Sequence, residues 1–286
     1  MKNILITGAQ TQESYIASRI LTEKCDATIF MEGMGDSNIG FYSPYVKEKL
    51  LKPANYAYLK EKQITHILPF YDFNYWSLKV EEIKDLGIKI ITNSFESLRK
   101  IGDYFELYKE CRKNGVVHPK IYRNNNEIDA FPLIIKSRDK KESYMAKNMR
   151  DVYNFTTGRR DILVQQYISG PTIKVDFVGE SWLQQRFCLF DYVIDTVKYE
   201  FLEEICKDII SSFGLKFGTI SFVMSDTYYF INIKPYIEWE AMLLNESILL
   251  GLLALGDGED YQITETKENL RLIKIPSIII KKGEEL

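Results

Sequence analysis

The sequence predicts an α/β protein in which a parallel βαβ lobe is followed by an α+β region with two subdomains. Short apolar runs alternate with amphipathic stretches over residues 1–93, a pattern typical of βαβ units and a parallel sheet. Residues 218–240 hold two runs dense in β-branched and aromatic residues around a short polar turn, which predicts an antiparallel hairpin. With 286 residues, 45% of them hydrophobic, the chain is long enough for two closely packed lobes.

The composition argues against several classes of partner. A net charge of −3 disfavours a nucleic acid, because phosphate binding requires a basic surface. The four cysteines are scattered without a CxxC pair, so we expect reduced thiols and no zinc site. The N-terminal stretch MKNILITGA is too short for a signal peptide, and the longest apolar run, 248–255, cannot span a bilayer. We therefore expect a cytoplasmic protein without a membrane partner.

The first ninety residues are predicted to contain four strands, at 3–7, 27–31, 65–70 and 88–91. Helices lie between them, one of which Thr11 can cap, and two others at 56–62 and 76–86. The first turn, GAQTQES, has one glycine where a dinucleotide fingerprint requires three, so we expect no dinucleotide in this lobe.

After this lobe the sequence predicts one long helix, 94–115, with a capping box formed by Asn93 and Glu96. The elements that follow are strands at 131–136, 161–168, 174–178 and 182–190, a helix at 200–213, hairpin strands at 219–224 and 228–233, a helix at 240–255 and tail strands within 270–280. Lys136 ends the first of these strands. Burying a lysine there is costly without an anion, which makes it a candidate phosphate ligand, although a side chain extended to solvent also explains it.

The order of these segments resembles the ATP-grasp superfamily, and within it the short proteins similar to the large subunit of carbamoyl-phosphate synthase. Asp103, Gly115, Val116 and Pro119 match the family pattern around the helix before the ATP site, and QQYISG resembles the adenine-binding segment. The resemblance covers nearly the whole chain. It implies a pre-ATP-grasp, Rossmann-like domain followed by an ATP-grasp domain with a nucleotide lid subdomain and a metal-hairpin subdomain, at 1–93, 94–169 and 170–286.

The resemblance implies ATP as the cofactor and a set of nucleotide-binding residues. They are Lys136, Arg138, Gln165, Gln166, Tyr167, Ile168 and Thr172. Gln166 and Thr172 stand where the family has carboxylates, and Tyr104 stands where it has a basic residue, which should weaken ATP binding.

The glycine-rich loop that covers the phosphates in the family is replaced here by SRDKKESYMAKN, which has no glycine. Arg138, Lys140 and Lys141 can supply side-chain charge in place of backbone donors. A charged, solvated turn explains the same segment more simply.

The family holds magnesium with carboxylate and amide ligands on the hairpin. At the matching positions this chain has Ser221, Asn232 and Lys234. Hard cations prefer carboxylate oxygens and an ammonium group repels them, so Ser221 and Asn232 are degenerate metal ligands and the sequence argues against Mg²⁺. Lys234 can replace the metal's charge near the phosphates, and with Arg186 it is a candidate catalytic residue.

In ATP-grasp proteins the first lobe often lines the substrate site at the carboxyl ends of its strands. The resemblance therefore implies Glu32, Tyr71 and Asp72 as candidate ligands of a small-molecule substrate.

Two functions follow from the resemblance. The first is a catalytically impaired homologue that binds a nucleotide, metabolite or partner in the inherited cleft. The second is an active ATP-dependent ligase that joins a carboxylate to an amine or thiol through an acyl phosphate, with a rearranged phosphate site. The eroded motifs favour the first, which fits a partner subunit that carries an intact site, and the aromatic loop at 41–45 permits a homodimer. A third interpretation is an unrelated α/β protein.

Overall fold

The computed structural model describes residues 2–35, 37–140, 142–179, 182–189, 192–259 and 263. They form one parallel and two antiparallel sheets, which confirms the predicted α/β class. The tail strands predicted within 270–280 lie outside the described residues. Across the described ranges, no helix combines the length and apolar character that a membrane span requires.

The N-terminal lobe is an α/β unit built on a parallel sheet. Its elements are β1 (Asn3–Thr7), α1 (Gln12–Cys25), β2 (Thr28–Glu32), β3 (Val46–Leu50), α2 (Tyr56–Glu61), β4 (His66–Pro69), α3 (Phe73–Leu78), α4 (Val80–Lys84) and β5 (Lys89–Ile90). The strand order is β3-β2-β1-β4-β5. Apolar periodicity does not reveal β3, because VKEKL is an edge strand that alternates exposed and half-buried side chains.

The middle of the chain forms a second, four-stranded sheet. Its elements are α5 (Phe95–Ile101), α6 (Tyr104–Lys113), β6 (Ile121–Tyr122), β7 (Leu133–Ser137), β8 (Ser143–Ala146), α7 (Met149–Thr156) and β9 (Ile162–Gln166). The strands pair antiparallel in the order β6-β9-β7-β8, and we call them the small sheet. Helix α7 packs on one face of this sheet through Val152.

The helix predicted at 94–115 is broken in two at Asp103. The Asp103 carboxylate accepts the backbone N–H of Phe105 at 2.9 Å, which caps and starts the second helix. The first helix is capped by Ser94 rather than by Asn93. Asn93 instead donates to the carbonyl of Phe217 at 3.0 Å, so this side chain ties the N-terminal lobe to a later strand.

The third sheet has five antiparallel strands, and we call it the large sheet. Its elements and the helices around it are β10 (Thr172–Val178), β11 (Trp182–Leu189), β12 (Tyr192–Val197), α8 (Glu200–Phe213), β13 (Phe217–Met224), β14 (Tyr228–Lys234), α9 (Trp239–Leu244) and α10 (Ser247–Asp257). The strand order is β12-β11-β10-β13-β14. Helix α8 buries its apolar face against this sheet, and the opposite face carries the polar residues of the site.

A bulge in β14 decides which hairpin side chains face the site. Ser221 pairs with Asn232, but the next residue of β13 pairs with Phe230, so Ile231 is the extra residue. The shift lets Phe230 and Ile233 both enter the core beneath the sheet. Asn232, between Ile231 and Ile233, is therefore left on the polar face.

The C-terminal helices pack against the N-terminal lobe and anchor there through an ion cluster. Asp257, at the end of α10, accepts hydrogen bonds from Lys2, His66 and Lys89. These three donors stand at the starts of β1, β4 and β5. The cluster thus lies at the edge of the parallel sheet opposite to the carboxyl ends of its strands.

We expect Asp257→Asn to lower the free energy of unfolding by about 1–3 kcal/mol, because three donors lose a charged acceptor. Burial by itself would raise the pKa of Asp257, but the hydrogen bonds from Lys2, Lys89 and His66 outweigh it and lower the pKa. The stabilisation is thus present above the unfolded value of 3.8 and is lost as the pH falls below it. Urea unfolding at pH 7 measures it, with Asp208→Asn, at an exposed position of α8, as the control. Equal losses for the two variants would contradict the prediction.

Candidate functional site

Two lysines from one end of the small sheet meet around an aromatic ring. Lys136 lies near the end of β7, and Lys140 lies four residues later in the following turn. The Nζ atoms of Lys136 and Lys140 lie 4.8 Å and 4.9 Å from the centroid of the Tyr104 ring. Such cation–π contacts strengthen as water is removed. We call these three residues, with Asn232 and Lys234 of β14, the inter-sheet site.

Lys136 does not extend to solvent. Its side chain belongs to a residue that is only 6% exposed, and Nζ donates to the Tyr108 hydroxyl at 3.2 Å. Tyr108 in turn donates to the carbonyl of Ile231, the bulged residue of β14, at 2.9 Å. One tyrosine therefore links the lysine of the small sheet to the hairpin of the large sheet.

Lys140 is not part of a solvated turn, which corrects the simpler interpretation of its segment. Its Nζ donates to Oδ1 of Asn232 at 2.6 Å and to the carbonyl of Ile233 at 3.4 Å. The side chain thus crosses from the small sheet to the large sheet. Lys141, the third cation of the segment, lies outside the described residues.

Burial moves both lysines toward their neutral forms. It lowers the pKa of Lys136 to about 8. Burial, with the charge of Lys136 as a second cause, lowers the pKa of Lys140 to about 7. An anion bound beside them would favour the charged forms again. Binding of an anion beside the pair would therefore be accompanied by proton uptake.

The predicted metal positions on the hairpin have no free carboxylate. Ser221 and Asn232 pair across the two strands, and the Asn232 oxygen already accepts from the ammonium group of Lys140. Lys234, on the same face, donates to Oε1 of Glu238 at 2.5 Å. Among the described residues, no group of three His, Cys, Asp or Glu side chains is arranged to hold a metal ion. Magnesium prefers carboxylate and carbonyl oxygens, so this donor set fits it poorly.

A buried ion cluster lies beside the hairpin end and is centred on Glu238. Its carboxylate accepts from Nη2 of Arg186 at 2.9 Å, from Nζ of Lys174 at 2.8 Å and from Lys234. Asp176 holds Arg186 through two further hydrogen bonds, to Nε and Nη2. Burial by itself would raise the pKa of Glu238, but the three cations outweigh it and lower the pKa to about 2. Glu238 is therefore ionised at neutral pH.

The two candidate catalytic residues both belong to this cluster. Arg186 is fully buried, and its Nη1 atom has no hydrogen-bond partner among the described residues. Burial would lower the pKa of Lys234, but the charge of Glu238 outweighs it and raises the pKa to about 12. A lysine that stays charged can neutralise phosphate charge, but it cannot act as a general base near neutral pH.

Two partly buried carboxylates, Glu13 and Glu240, lie close enough to Glu238 to feel its negative charge. Burial, opposed by a backbone hydrogen bond and assisted by Glu240, raises the pKa of Glu13. Burial and the charge of Glu238 raise the pKa of Glu240. Both groups carry less negative charge than ordinary glutamates at mildly acidic pH.

The predicted adenine-binding segment stands at the end of β9. Gln165 is buried, its Oε1 atom lies 3.4 Å from the Tyr108 hydroxyl, and its Nε2 has no partner among the described residues. Gln166 donates its backbone N–H to the carbonyl of Lys120 at 2.8 Å, which fixes the strand end. Tyr167 is exposed and Ile168 is half-buried. Gln165 is thus the member of the segment that shares Tyr108 with Lys136.

The other two predicted nucleotide ligands lie apart from each other. Thr172 starts β10, two residues before Lys174, and is half-buried on the polar face of the large sheet. Arg138 is exposed and donates to the Asp103 carboxylate at 2.6 Å. The guanidinium of Arg138 is therefore paired at the surface, outside the contacts that join Lys136 and Lys140.

The three candidate substrate residues line one cavity of about 110 Å³ at the carboxyl ends of β1, β2 and β4. Glu32 ends β2, and Tyr71 and Asp72 follow β4. Thr7, the last residue of β1, lines the same cavity. The topology therefore brings together three residues that are separated by up to forty positions in the chain.

Several residues of the site were not predicted from the sequence. Tyr108 has no local signal, because its spacing in α6 is that of an ordinary core residue. Lys174 does have a local signal: with Asp176 it alternates with apolar residues in TIKVDFV, which places both on one face of β10. A polar stripe within a central strand indicates a face that is covered by charge rather than by a core.

Comparison of the sequence with protein-family models gives no match, and comparison with curated proteins gives none either. The fold, however, is similar to solved structures. The biotin carboxylase of Campylobacter jejuni, in a complex with β-γ-ATP, has a TM-score of 0.68 at 17% identity, over 91% of this chain and 72% of that chain.

Two further solved structures have a similar fold. The biotin carboxylase domain dimer of the Hydrogenobacter thermophilus 2-oxoglutarate carboxylase, with MgADP, ADP and bicarbonate, has a TM-score of 0.68 at 15% identity, over 92% of this chain and 71% of that chain. The D-alanine–D-alanine ligase of Bacillus anthracis has a TM-score of 0.61 at 14% identity, over 91% of this chain and 100% of that chain. These neighbours are ATP-grasp proteins, so the chain has the ATP-grasp fold.

Proposed function

We propose that this chain, which has the ATP-grasp fold, binds a nucleotide in the inter-sheet site without magnesium and is catalytically impaired. The main support is the hydrogen bond from Nζ of Lys140 to Oδ1 of Asn232 at 2.6 Å. An ammonium group thereby lies against the amide that the resemblance assigns to a metal ligand. The positive charge that a metal would bring is supplied by side chains.

The charge around the site suits a polyphosphate. Lys136 and Lys140 approach it from the small sheet, and Lys234 approaches it from the large sheet. Each is buried or half-buried, so the interaction with an anion is stronger than at an exposed surface. Gln165, with an unpartnered amide nitrogen, offers a donor for the base of the nucleotide.

The same residues argue against phosphoryl transfer. That reaction depends on positioning and on charge neutralisation, which Mg²⁺ normally provides by bridging the β and γ phosphates. Ammonium groups offset charge, but they cannot hold two phosphate oxygens in an octahedral frame. Ser221 and Asn232 are the oxygen ligands at the hairpin positions that match the family's metal site, and neither is charged. We therefore expect transfer to be slow or absent.

An active carboxylate–amine ligase is the alternative. It requires carboxylates in the cleft that can replace the lost metal ligands. Asp176 and Glu238 do lie at the site, but their oxygens pair with Arg186, Lys174 and Lys234. Because these carboxylate oxygens are already paired with cations, the impaired homologue is favoured over the active ligase.

The setting of the protein is part of the proposal. Four free cysteines, three of them buried, are typical of a reducing compartment, which supports the cytoplasm. The Hydrogenobacter domain is described as a dimer, and Tyr42 in the aromatic loop is 82% exposed, which supports a homodimer. A partner subunit that carries an intact site is the other candidate arrangement.

We expect millimolar ATP to raise the thermal midpoint equally with magnesium and with EDTA. A ligand at 100 times its dissociation constant stabilises by about 2.7 kcal/mol, which is a readable shift. Lys136→Met should abolish the shift, because it removes the buried ammonium group that Tyr108 positions. Lys147→Met, at an exposed position of the same subdomain, should keep it. Differential scanning fluorimetry measures all of these.

Other outcomes have clear meanings. A shift that requires magnesium would contradict the proposal and favour the active ligase, for which release of ADP with carboxylic acids and amines is then the assay. No shift with ATP in either condition would leave the inter-sheet site to another ligand.

A further inference from the structure

We propose that the cavity at the carboxyl ends of β1, β2 and β4 binds the cationic group of a small molecule, an ammonium or guanidinium. The chemistry of the cavity wall carries this inference. It goes beyond the proposed nucleotide binding and does not depend on it, because the cavity and the inter-sheet site share no residue.

The wall of the cavity is acidic. Glu32 and Asp72 both line it, and no lysine, arginine or histidine does so among the described residues. Glu32 is only 5% exposed, and its Oε2 atom accepts the backbone N–H of Ala54 at 2.7 Å. Burying a carboxylate without a cation is costly. A bound cation would remove most of that cost.

Two buried polar atoms in the wall are unsatisfied. Oγ1 of Thr7 and Oε1 of Gln10 have no hydrogen-bond partner among the described residues, and both residues line the cavity. Thr7 is only 2% exposed. Both atoms can accept a hydrogen bond. Together with the Glu32 carboxylate they form a set of acceptors that matches a ligand group rich in N–H donors.

The rest of the wall is aromatic. Trp76 is buried beside the cavity, and Tyr71 and Tyr75 line it with partly exposed rings. Aromatic faces attract cations, and quaternary or primary ammonium groups are bound in this way. Gly8 allows Tyr71 this position: its φ is +92°, and a Cβ there would lie 2.9 Å from the Cβ of Tyr71.

The size of the cavity limits the ligand. At about 110 Å³ it is somewhat smaller than a cavity of ~150 Å³ that holds benzene. A propylammonium or methylguanidinium ion is therefore an appropriate probe. The burial of Glu32, with Asp72 as a weaker cause, raises the pKa of its carboxyl, although the Ala54 hydrogen bond opposes the shift. A bound cation would lower this pKa again, because it stabilises the ionised carboxylate.

The test is titration with propylammonium and methylguanidinium, observed by NMR at the indole N–H of Trp76, one of three tryptophans. The signal is assigned with Trp76→Phe. We expect saturable shifts with both cations, and none with 1-propanol or propionate, which have similar size. Glu32→Gln keeps an acceptor for the Ala54 N–H, but it should weaken the binding of both cations at least tenfold. Thr7→Val should weaken cation binding several-fold. Glu81→Gln, at an exposed position of α4, is the control and should leave cation binding unchanged.

The inference is overturned if the cations shift the signal no more than 1-propanol does, or if Glu32→Gln and Thr7→Val bind them as tightly as the parent. The ATP-induced thermal shift, measured on the same variants, is expected to remain unchanged. Loss of cation binding with an intact ATP response, or the reverse, therefore separates failure of this inference from failure of the proposed nucleotide site.

Discussion

Raising the pH from 7 to 9 is expected to weaken ATP binding at least tenfold. The free pKa values of Lys136 and Lys140 are about 8 and about 7, so both lose their protons in this range when no anion is present. Bound phosphate favours the charged lysines, so binding takes up protons. Titration calorimetry in two buffers with different ionisation enthalpies measures that uptake. At pH 8 the terminal phosphate of ATP is almost fully deprotonated, so it contributes little to the uptake measured there.

The variant Lys140→Met separates binding from stability. It should weaken ATP binding at least tenfold and reduce the proton uptake at pH 8. It should also raise the free energy of unfolding without ligand by roughly 1–2 kcal/mol, because a buried, partly charged amine is replaced by an apolar chain of similar length. A binding affinity that is independent of pH in the parent, or unchanged in the variant, would contradict the role of the lysine pair.

The sign of the pH effect on stability is opposite to that of a paired lysine. Both folded pKa values lie below the unfolded value of 10.5, so the unfolded chain binds more protons above pH 7. The free energy of unfolding of the ligand-free protein should therefore rise between about pH 7 and pH 9. Above that, the buried thiol of Cys111, whose pKa burial raises, opposes this rise, because the unfolded thiol ionises near its usual value of 9.0.

Glu238→Gln is expected to lower the free energy of unfolding by about 3–5 kcal/mol, a larger loss than the one expected for Asp257→Asn. Removing one partner of a buried ion cluster leaves the others uncompensated. Arg186 would retain Asp176 as a counter-ion, whereas Lys174 and Lys234 would lose the negative charge that they face. Urea unfolding at pH 7, followed by circular dichroism, measures the loss.

Glu240→Gln is the matched control for this variant. Glu240 lies two residues further along, is also partly buried, and has a raised pKa, so loss of its charge should change stability by less than about 1 kcal/mol. The contribution of Glu238 is present above the unfolded value of 4.5 and is lost as the pH falls toward about 2. The parent and Glu238→Gln should therefore converge in stability at low pH. Equal losses for the two variants at pH 7 would show that the cluster does not stabilise the fold.

Local pattern was sufficient for the class of fold and for most of its elements. The alternation of short apolar runs with helices predicted the parallel lobe, and the dense β-branched runs at 219–224 and 228–233 predicted the hairpin. Both depend on neighbours in sequence, which periodicity reports directly. The edge strand β3 and the helix break at Asp103 were not predicted. An edge strand needs no apolar run, and a single N-cap residue can interrupt a helical pattern.

Some members of the candidate site were predictable, but their pairings were not. Lys136 could be identified because a lysine at the end of an apolar strand is unusual. Glu32, Tyr71 and Asp72 were named from the family resemblance, which implies a substrate site at the carboxyl ends of the strands of the first lobe. Their roles stay predictions, to be tested by ATP and cation binding to the variants. The contact of Lys140 with Asn232 joins residues 92 positions apart. No local pattern encodes such a contact.

The sequence by itself determined which polar groups exist, how they alternate along each strand and which family pattern they approach. Only the tertiary structure decided which charges neutralise each other. Glu238 is the counter-ion of Arg186, Lys174 and Lys234 because packing brings three strands and a helix start together, at distances of 2.5 to 2.9 Å. Coulomb energies and desolvation vary steeply over such distances, and they are set by the packing of sheets rather than by the order of residues.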